Sequence, residues 1–236
     1  MSKISEKLSR VQDTIDATCE RVGRPRSEIT FVVVTKSTTV DAIKEVVELG
    51  YTHLGENHVQ QLKKVCSQIN PSSSSNEQSP PLHWHMIGHL QRNKVRQVLP
   101  LATLIHSVDT LRLAEEINTC AKKMNIHTNV LLQVNTSNEP QKYGVPVGAA
   151  THLAEQMETL SHVTLKGLMT MAPLTRNKEV VRACFMRAKD LFVEMRGERI
   201  VGSQFTELSM GMSSDYEIAI EEGATILRIG SAIFSG

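Results

Sequence analysis

Lys36 is the residue whose setting in this sequence best suits covalent chemistry. It directly follows Ile29 to Thr35, ITFVVVT, a β-branched run too apolar for a sheet with one wet face. Side chains on a strand alternate between faces, so Lys36 shares the direction of Val32 and Val34, which predicts an inward-pointing amine at the strand's end. Partial desolvation there lowers an amine's proton affinity and exposes the lone pair that attacks an aldehyde to form a Schiff base. Alone, the residue reads more simply as a solvated lysine.

Two later loops supply a complement. Leu208 to Gly223, LSMGMSSDYEIAIEEG, passes from a strand through a turn with Ser209, Gly211, Met212, Ser213 and Ser214 into a helix. Ser214 and Glu217 have capping-box spacing, which predicts Ser214 as the N-cap. Arg228 to Phe234, RIGSAIF, opens a second helical turn at Gly230 and Ser231. Free N–H groups at such helix starts suit an anion. Neither loop carries a GxGxxG or Walker pattern, so two ordinary Gly-Ser helix starts stand as the plain alternative.

The elements that must position these groups alternate along the chain. Ile4, Leu8, Val11, Ile15 and Val22 share one face of an amino-terminal helix. After the Ile29 to Thr35 strand, seven more are predicted: His53 to Asn57, His83 to Gly88, Leu104 to Val108, Asn129 to Asn135, Val163 to Met171, Phe205 to Gly211 and Thr225 to Gly230. Helical stretches lie between them, among them Val40 to Leu49 closed by Gly50, Thr110 to Met124, Val147 to Leu160, Arg176 to Arg196 and Ser214 to Glu222. Eight alternations with no second compositional domain predict an α/β fold, a single (β/α)8 TIM barrel with an extra N-terminal helix; an open doubly wound sheet is the alternative. In such a barrel the two glycine- and serine-bearing loops follow strands seven and eight, where phosphate is often bound.

Composition agrees with a small-molecule protein. A chain of 236 residues with 40% hydrophobic content is expected to form one domain over 1–236. Its 26 Lys and Arg against 25 Asp and Glu give no basic excess for nucleic acid. No apolar run approaches the roughly 20 residues of a membrane span, and the amino terminus lacks a signal-peptide pattern, which predicts a cytoplasmic protein. Cys19, Cys66, Cys120 and Cys184 form no CxxC pair and read as free thiols. Asn70 to Pro81, NPSSSSNEQSPP, has the composition of a mobile surface loop.

Other polar residues fall on the predicted strands. Asn57, His85 and Ser209 are candidates to line a ring-shaped ligand, and each reads equally as a satisfied polar residue near the barrel mouth. His83, His85 and His89 invite a metal reading, but no carboxylate or thiolate stands at helpful spacing, so no metal is expected. Met169, Met171, Met210 and Met212 read as filling and packing.

Taken in order, Lys36, GENHVQQ (Gly55 to Gln61), WHMIGHLQRNK (Trp84 to Lys94), HSVDT (His106 to Thr110), QVNTSNEPQKYG (Gln133 to Gly144), GLMTMAP (Gly167 to Pro173), LSMGMSSD and RIGSAIF resemble the signatures of the pyridoxal phosphate homeostasis protein family over nearly the whole chain. That family is related to the barrel domain of alanine racemase. The resemblance implies pyridoxal 5'-phosphate as cofactor, held as a Schiff base on Lys36, with Gly211, Met212, Ser213, Gly230 and Ser231 around its phosphate. It implies that Arg228 contacts either the pyridine nitrogen or the phosphate. A cation at the nitrogen disfavours ring protonation and weakens the cofactor as an electron sink, which suits a holder. Buffering and delivery of the cofactor to pyridoxal-phosphate-dependent apoenzymes, by a monomer without robust catalysis, is the implied role. An amino-acid racemase is the alternative, and a sugar-phosphate isomerase or aldolase is a more distant one. Racemisation needs acid-base groups on both faces of the adduct, one of which alanine racemase takes from a further domain that is not expected after Gly236. This sequence departs from the family in lacking a proline soon after Lys36, where Ser37, Thr38 and Thr39 keep hydroxyls, and in ending at Phe234-Ser235-Gly236, which predicts a short last helix.

Overall fold

The computed structural model describes residues 2–36, 38–69, 81–137, 139 and 141–235. Helix α1 (Lys3–Arg21) comes first, capped by Ser2, whose hydroxyl accepts from the Ser5 N–H. Leu8, Val11, Ile15 and Cys19 form its buried stripe, so the predicted helical face is the packed one.

Eight strands follow: β1 (Thr30–Val34), β2 (His53–Glu56), β3 (His83–Met86), β4 (Leu104–Val108), β5 (Thr128–Asn135), β6 (Val163–Met169), β7 (Glu207–Ser209) and β8 (Ile226–Ile229). Each pairs in parallel with the next, and β8 pairs with β1. The sheet is therefore closed, as the sequence predicts, and the open-sheet alternative is excluded. Closure removes every edge, which a parallel sheet in water requires. Val145–Pro146 adds a two-residue strand beside the end of β5. It is too short to have a readable period.

Helices α2 (Val40–Glu48), α3 (Val59–Ile69), α4 (Val95–Val98), α5 (Leu111–Met124), α6 (Val147–Glu158), α7 (Lys178–Gly197), α8 (Tyr216–Glu221) and α9 (Ser231–Phe234) surround the barrel. Thr39, Thr110 and Asn177 cap α2, α5 and α7 with side-chain oxygens. One predicted cap is corrected. The N-cap of α8 is Asp215, not Ser214, and its carboxylate turns back to accept from the Met212 N–H at 2.5 Å. Asp215 thus braces the loop before the helix, so Glu217 has no box to complete.

Strand parity divides the core into two layers. Val33, Leu54, Trp84, Ile105, Val130 and Leu168 face outward into the main hydrophobic cluster under the helices. Val32, Leu104, Leu131, Met169 and Ile226 fill the barrel's inside as a separate apolar layer. Burial of each such side chain contributes about 1.5–3 kcal/mol, so the inner layer is a firm plug on which a site can stand. The predicted serine- and proline-rich loop lies outside the described residues over 70–80, and Pro81 at its end is exposed. Among the described residues, no helix is long and apolar enough to cross a membrane.

Candidate functional site

Two residues beyond the inner apolar layer, toward the carboxyl ends of the strands, the same parity brings Val34, Gln133, Met171 and Arg228 into one cavity of about 740 Å³. Its size lies within the roughly 300–1,000 Å³ of small-molecule sites. Lys36 lines this cavity beside Val34, so the predicted direction of its side chain holds. It is an exposed residue at the mouth, which matches the solvated of its two readings and not the partly desolvated one, because β1 has already ended at Val34.

The two predicted loops border the same cavity. Met212 and Ser213 from the first, with Gly230 and Ser231 from the second, line the cavity. Ser213 Oγ accepts from the N–H groups of Gly230 at 3.3 Å and Ala232 at 3.1 Å, so one hydroxyl ties the loops together. Among the described residues, the N–H groups of Ser213, Ser214 and Ser231 donate to no acceptor in the chain. Unspent backbone donors converging on a cavity are what an anion needs. Asp215 sits beneath the first loop, where burial pushes its carboxyl up from the usual range while the Met212 N–H and the Arg228 charge pull it down.

Arg228 forms part of the floor and is only 4% exposed. Its Nη1 donates to Ser209 Oγ and its Nη2 to the Thr170 carbonyl at 2.9 Å. No carboxylate is hydrogen-bonded to it among the described residues. Burial pushes its pKa down to about 10 despite the Asp215 charge. A buried cation that lines a cavity is a candidate functional position.

Seven of the expected site residues therefore meet at one cavity: Lys36, Asn57, Met212, Ser213, Arg228, Gly230 and Ser231. Gly211, His85 and Ser209 do not line it. Gly211 closes the turn at φ +90°, where a Cβ would lie 2.5 Å from Ala219 Cβ, so it shapes the loop by letting the backbone approach α8. His85 and Ser209 lie under the floor. His53 Nδ1 meets His85 Nε2 at 3.0 Å, His85 Nδ1 meets His106 Nε2 at 2.9 Å, and His106 Nδ1 meets Ser209 Oγ at 3.0 Å. Desolvation, then the neighbouring rings, pushes His85 down to about 3, and burial holds His106 well below the ordinary range. His89 stands apart at the mouth, stacked on Tyr143 at 4.3 Å.

Sequence reasoning missed several lining residues. Gln133 had a usable signal, since it is two residues beyond inner-layer Leu131 on its strand; Met171, already read as filling and packing, stands likewise two beyond Met169. His89, Tyr143 and Leu174 lie on connecting segments, where no period predicts direction.

The donor set fits a phosphorylated aldehyde: a primary amine, unspent backbone N–H groups and a buried guanidinium around one cavity. Comparison with known proteins agrees. Residues 7–236 match the family model described as alanine racemase, N-terminal domain. A pyridoxal phosphate homeostasis protein of Aquifex aeolicus is 39% identical over 229 residues, covering 97% of this chain and 96% of its own. A crystal structure of a protein from Bifidobacterium adolescentis superposes with a TM-score of 0.90 at 33% identity, covering 98% of this chain and 94% of that one. The structure of PipY from Synechococcus elongatus with pyridoxal phosphate bound gives a TM-score of 0.83 at 30% identity, covering 98% of this chain and all of that one, at 100%.

Proposed function

The chain belongs to the pyridoxal phosphate homeostasis protein family, and from that premise we propose that it binds pyridoxal 5'-phosphate in the cavity above the barrel plug, held as a Schiff base on Lys36, and buffers and delivers the cofactor. The observation that carries this reading is the placement of Lys36 and the unspent N–H groups of Ser213, Ser214 and Ser231 around one cavity. When bound, the cofactor supplies an aldehyde for the amine and an aromatic ring able to disperse negative charge.

The chain's own residues have distinct parts in this reading. Lys36 Nζ is the nucleophile that fixes the ligand. The Ser213 hydroxyl keeps the two loops in register, and the serine N–H groups receive the phosphate. Asn57 borders the cavity at the end of β2 and offers an amide to the ring's substituents. Arg228 N–H groups can only donate, so a ring nitrogen facing them stays unprotonated. That electronic state weakens the cofactor as an electron sink and is compatible with a carrier; the choice of carrier over amino-acid racemase rests on the family to which the chain belongs.

In the same reading, residues 1–236 act as one binding domain and as a monomer, in the cytoplasm, with pyridoxal-phosphate-dependent apoenzymes as recipients. Four buried free cysteines suit a reducing compartment. The test is a spectrophotometric titration of the ligand-free protein with pyridoxal phosphate, wild type beside Lys36→Ala. A Schiff-base absorption band in the wild type, replaced in the variant by weaker non-covalent binding, is expected; the same band in both proteins refutes the assignment. Sustained Lys36-dependent exchange of amino-acid α-protons at ordinary enzyme rates would overturn the carrier role.

A further inference from the structure

The hydrogen-bonded row beneath the cavity has one more consequence for Arg228. We propose that His53, His85 and His106 form a relay of neutral rings with a single fixed polarity, all protonated on Nε2, and that His106 positions Arg228 by drawing the Ser209 hydroxyl proton away from it.

The polarity follows from counting donors. A guanidinium can only donate, so Ser209 Oγ must accept from Arg228 Nη1. Among the described residues, the one other polar partner of Ser209 Oγ is His106 Nδ1. The Ser209 proton therefore goes to His106, whose Nδ1 carries the lone pair. A neutral ring with a bare Nδ1 is protonated on Nε2, so His106 donates to His85 Nδ1. The same step repeats at His85, which donates from Nε2 to His53 Nδ1.

The opposite polarity aims two donors at Ser209 Oγ and leaves its own proton without an acceptor, in a residue with no exposed surface. Protonating the His85 ring sets two hydrogens against each other in its contact with His106, and protonating His106 aims a second donor at Ser209 Oγ and strands the hydroxyl proton. The groups facing the row agree with neutral rings: His83 stacks on His53 at 4.6 Å, and Arg228 stands at the other end. His85 and His106 are 3% and 0% exposed, so no water competes for these bonds.

Arg228 depends on this arrangement because its remaining side-chain hydrogen bond is to the Thr170 carbonyl, and Asp215 acts on it only through space. An acceptor at Ser209 that is reliably turned toward Nη1 fixes the plane of the guanidinium in the cavity floor. The effect on the cofactor rests on the proposed function; the ring protonation does not.

The test therefore has two arms. Nitrogen-15 NMR of the imidazoles in the ligand-free full chain, assigned with single histidine variants, is expected to show His53, His85 and His106 each bare on Nδ1 and protonated on Nε2. Protonation of His106 on Nδ1, or on both nitrogens, at neutral pH overturns the proposal. In the second arm, pyridoxal phosphate is titrated into His106→Leu and His106→Asn. Loss of the acceptor in His106→Leu is expected to weaken binding roughly tenfold, as for the loss of one hydrogen bond, and to shift the absorption maximum. In His106→Asn the side-chain carbonyl again accepts from Ser209, so most of the affinity and the wild-type maximum are expected to return. Wild-type affinity and spectrum in a folded His106→Leu overturn the positioning role; if that variant does not fold, the NMR arm decides. Failure of the wild type to bind pyridoxal phosphate refutes the proposed function and leaves the ring assignment tested on its own.

Discussion

Replacing Arg228 by Met is expected to leave the ligand-free protein as stable as the wild type or more so, while weakening its response to pyridoxal phosphate. Burial lowers the guanidinium's pKa from its ordinary value to about 10, so the unfolded chain holds that proton more tightly than the folded one. The difference costs folding about 3 kcal/mol at any pH below about 10, and fades only as the pH rises above that. Met keeps the apolar stem and removes the charge. Against this, the Thr170 carbonyl loses its donor, at about 1–3 kcal/mol, whereas Ser209 keeps His106. The net lies between about zero and 2 kcal/mol of stabilisation, or up to roughly 8 °C in Tm for a domain of this length. Calorimetry of both proteins, without ligand and at a series of pyridoxal phosphate concentrations, measures both effects. Ligand raises the wild-type Tm by mass action, and a smaller rise is expected for the variant. A ligand-free variant melting more than about 3 °C below the wild type would show that Arg228 is held for structure and not for the site.

Three further outcomes are expected. Ser213→Ala removes the acceptor shared by the Gly230 and Ala232 N–H groups, so pyridoxal phosphate affinity should fall by about 1–2 kcal/mol, read by titration; unchanged affinity would mean the loops hold their register without it. Gly88→Ala places a Cβ 2.1 Å from the Asn57 carbonyl oxygen, a backbone atom that cannot swing aside, and overpacking of this kind costs about 1–3 kcal/mol in urea unfolding; an unchanged midpoint would contradict the close approach. His85, with its pKa lowered from 6.5 to about 3, stays neutral when folded while the unfolded chain takes up a proton, so stability is lost as the pH falls below 6.5. At pH 5 that loss is about 2 kcal/mol, and His85→Gln should lose correspondingly less between pH 7 and 5; parallel pH profiles would refute the buried neutral ring.

Much of the barrel is legible in the sequence because its strands carry local signals. Several are short β-branched runs, as at Ile29 to Thr35, and the amphipathic helices between them have their own period. Boundaries are less legible: Phe205 to Gly211 reads as one strand, yet the regular strand is Glu207–Ser209, with only single backbone hydrogen bonds at Thr206, Met210 and Gly211 beyond it. Lys36 and the two loops are visible through their joint position: a lysine at the end of the first strand and glycine-serine turns after the seventh and eighth. The Asp215 cap is not, since an aspartate that folds back onto Met212 and a serine that caps forward have the same spacing in sequence. The histidine row is illegible for a different reason. His53, His85 and His106 come from three strands, and only barrel closure brings the last of them to Ser209, 103 residues further along the chain.

The most direct test of the central claim is chemical. The protein loaded with pyridoxal phosphate is reduced with borohydride, digested, and its peptides weighed. A single pyridoxyl group on Lys36, absent from Lys36→Ala, is the expected result. An adduct on another lysine such as Lys142, with Lys36 unmodified, would contradict it.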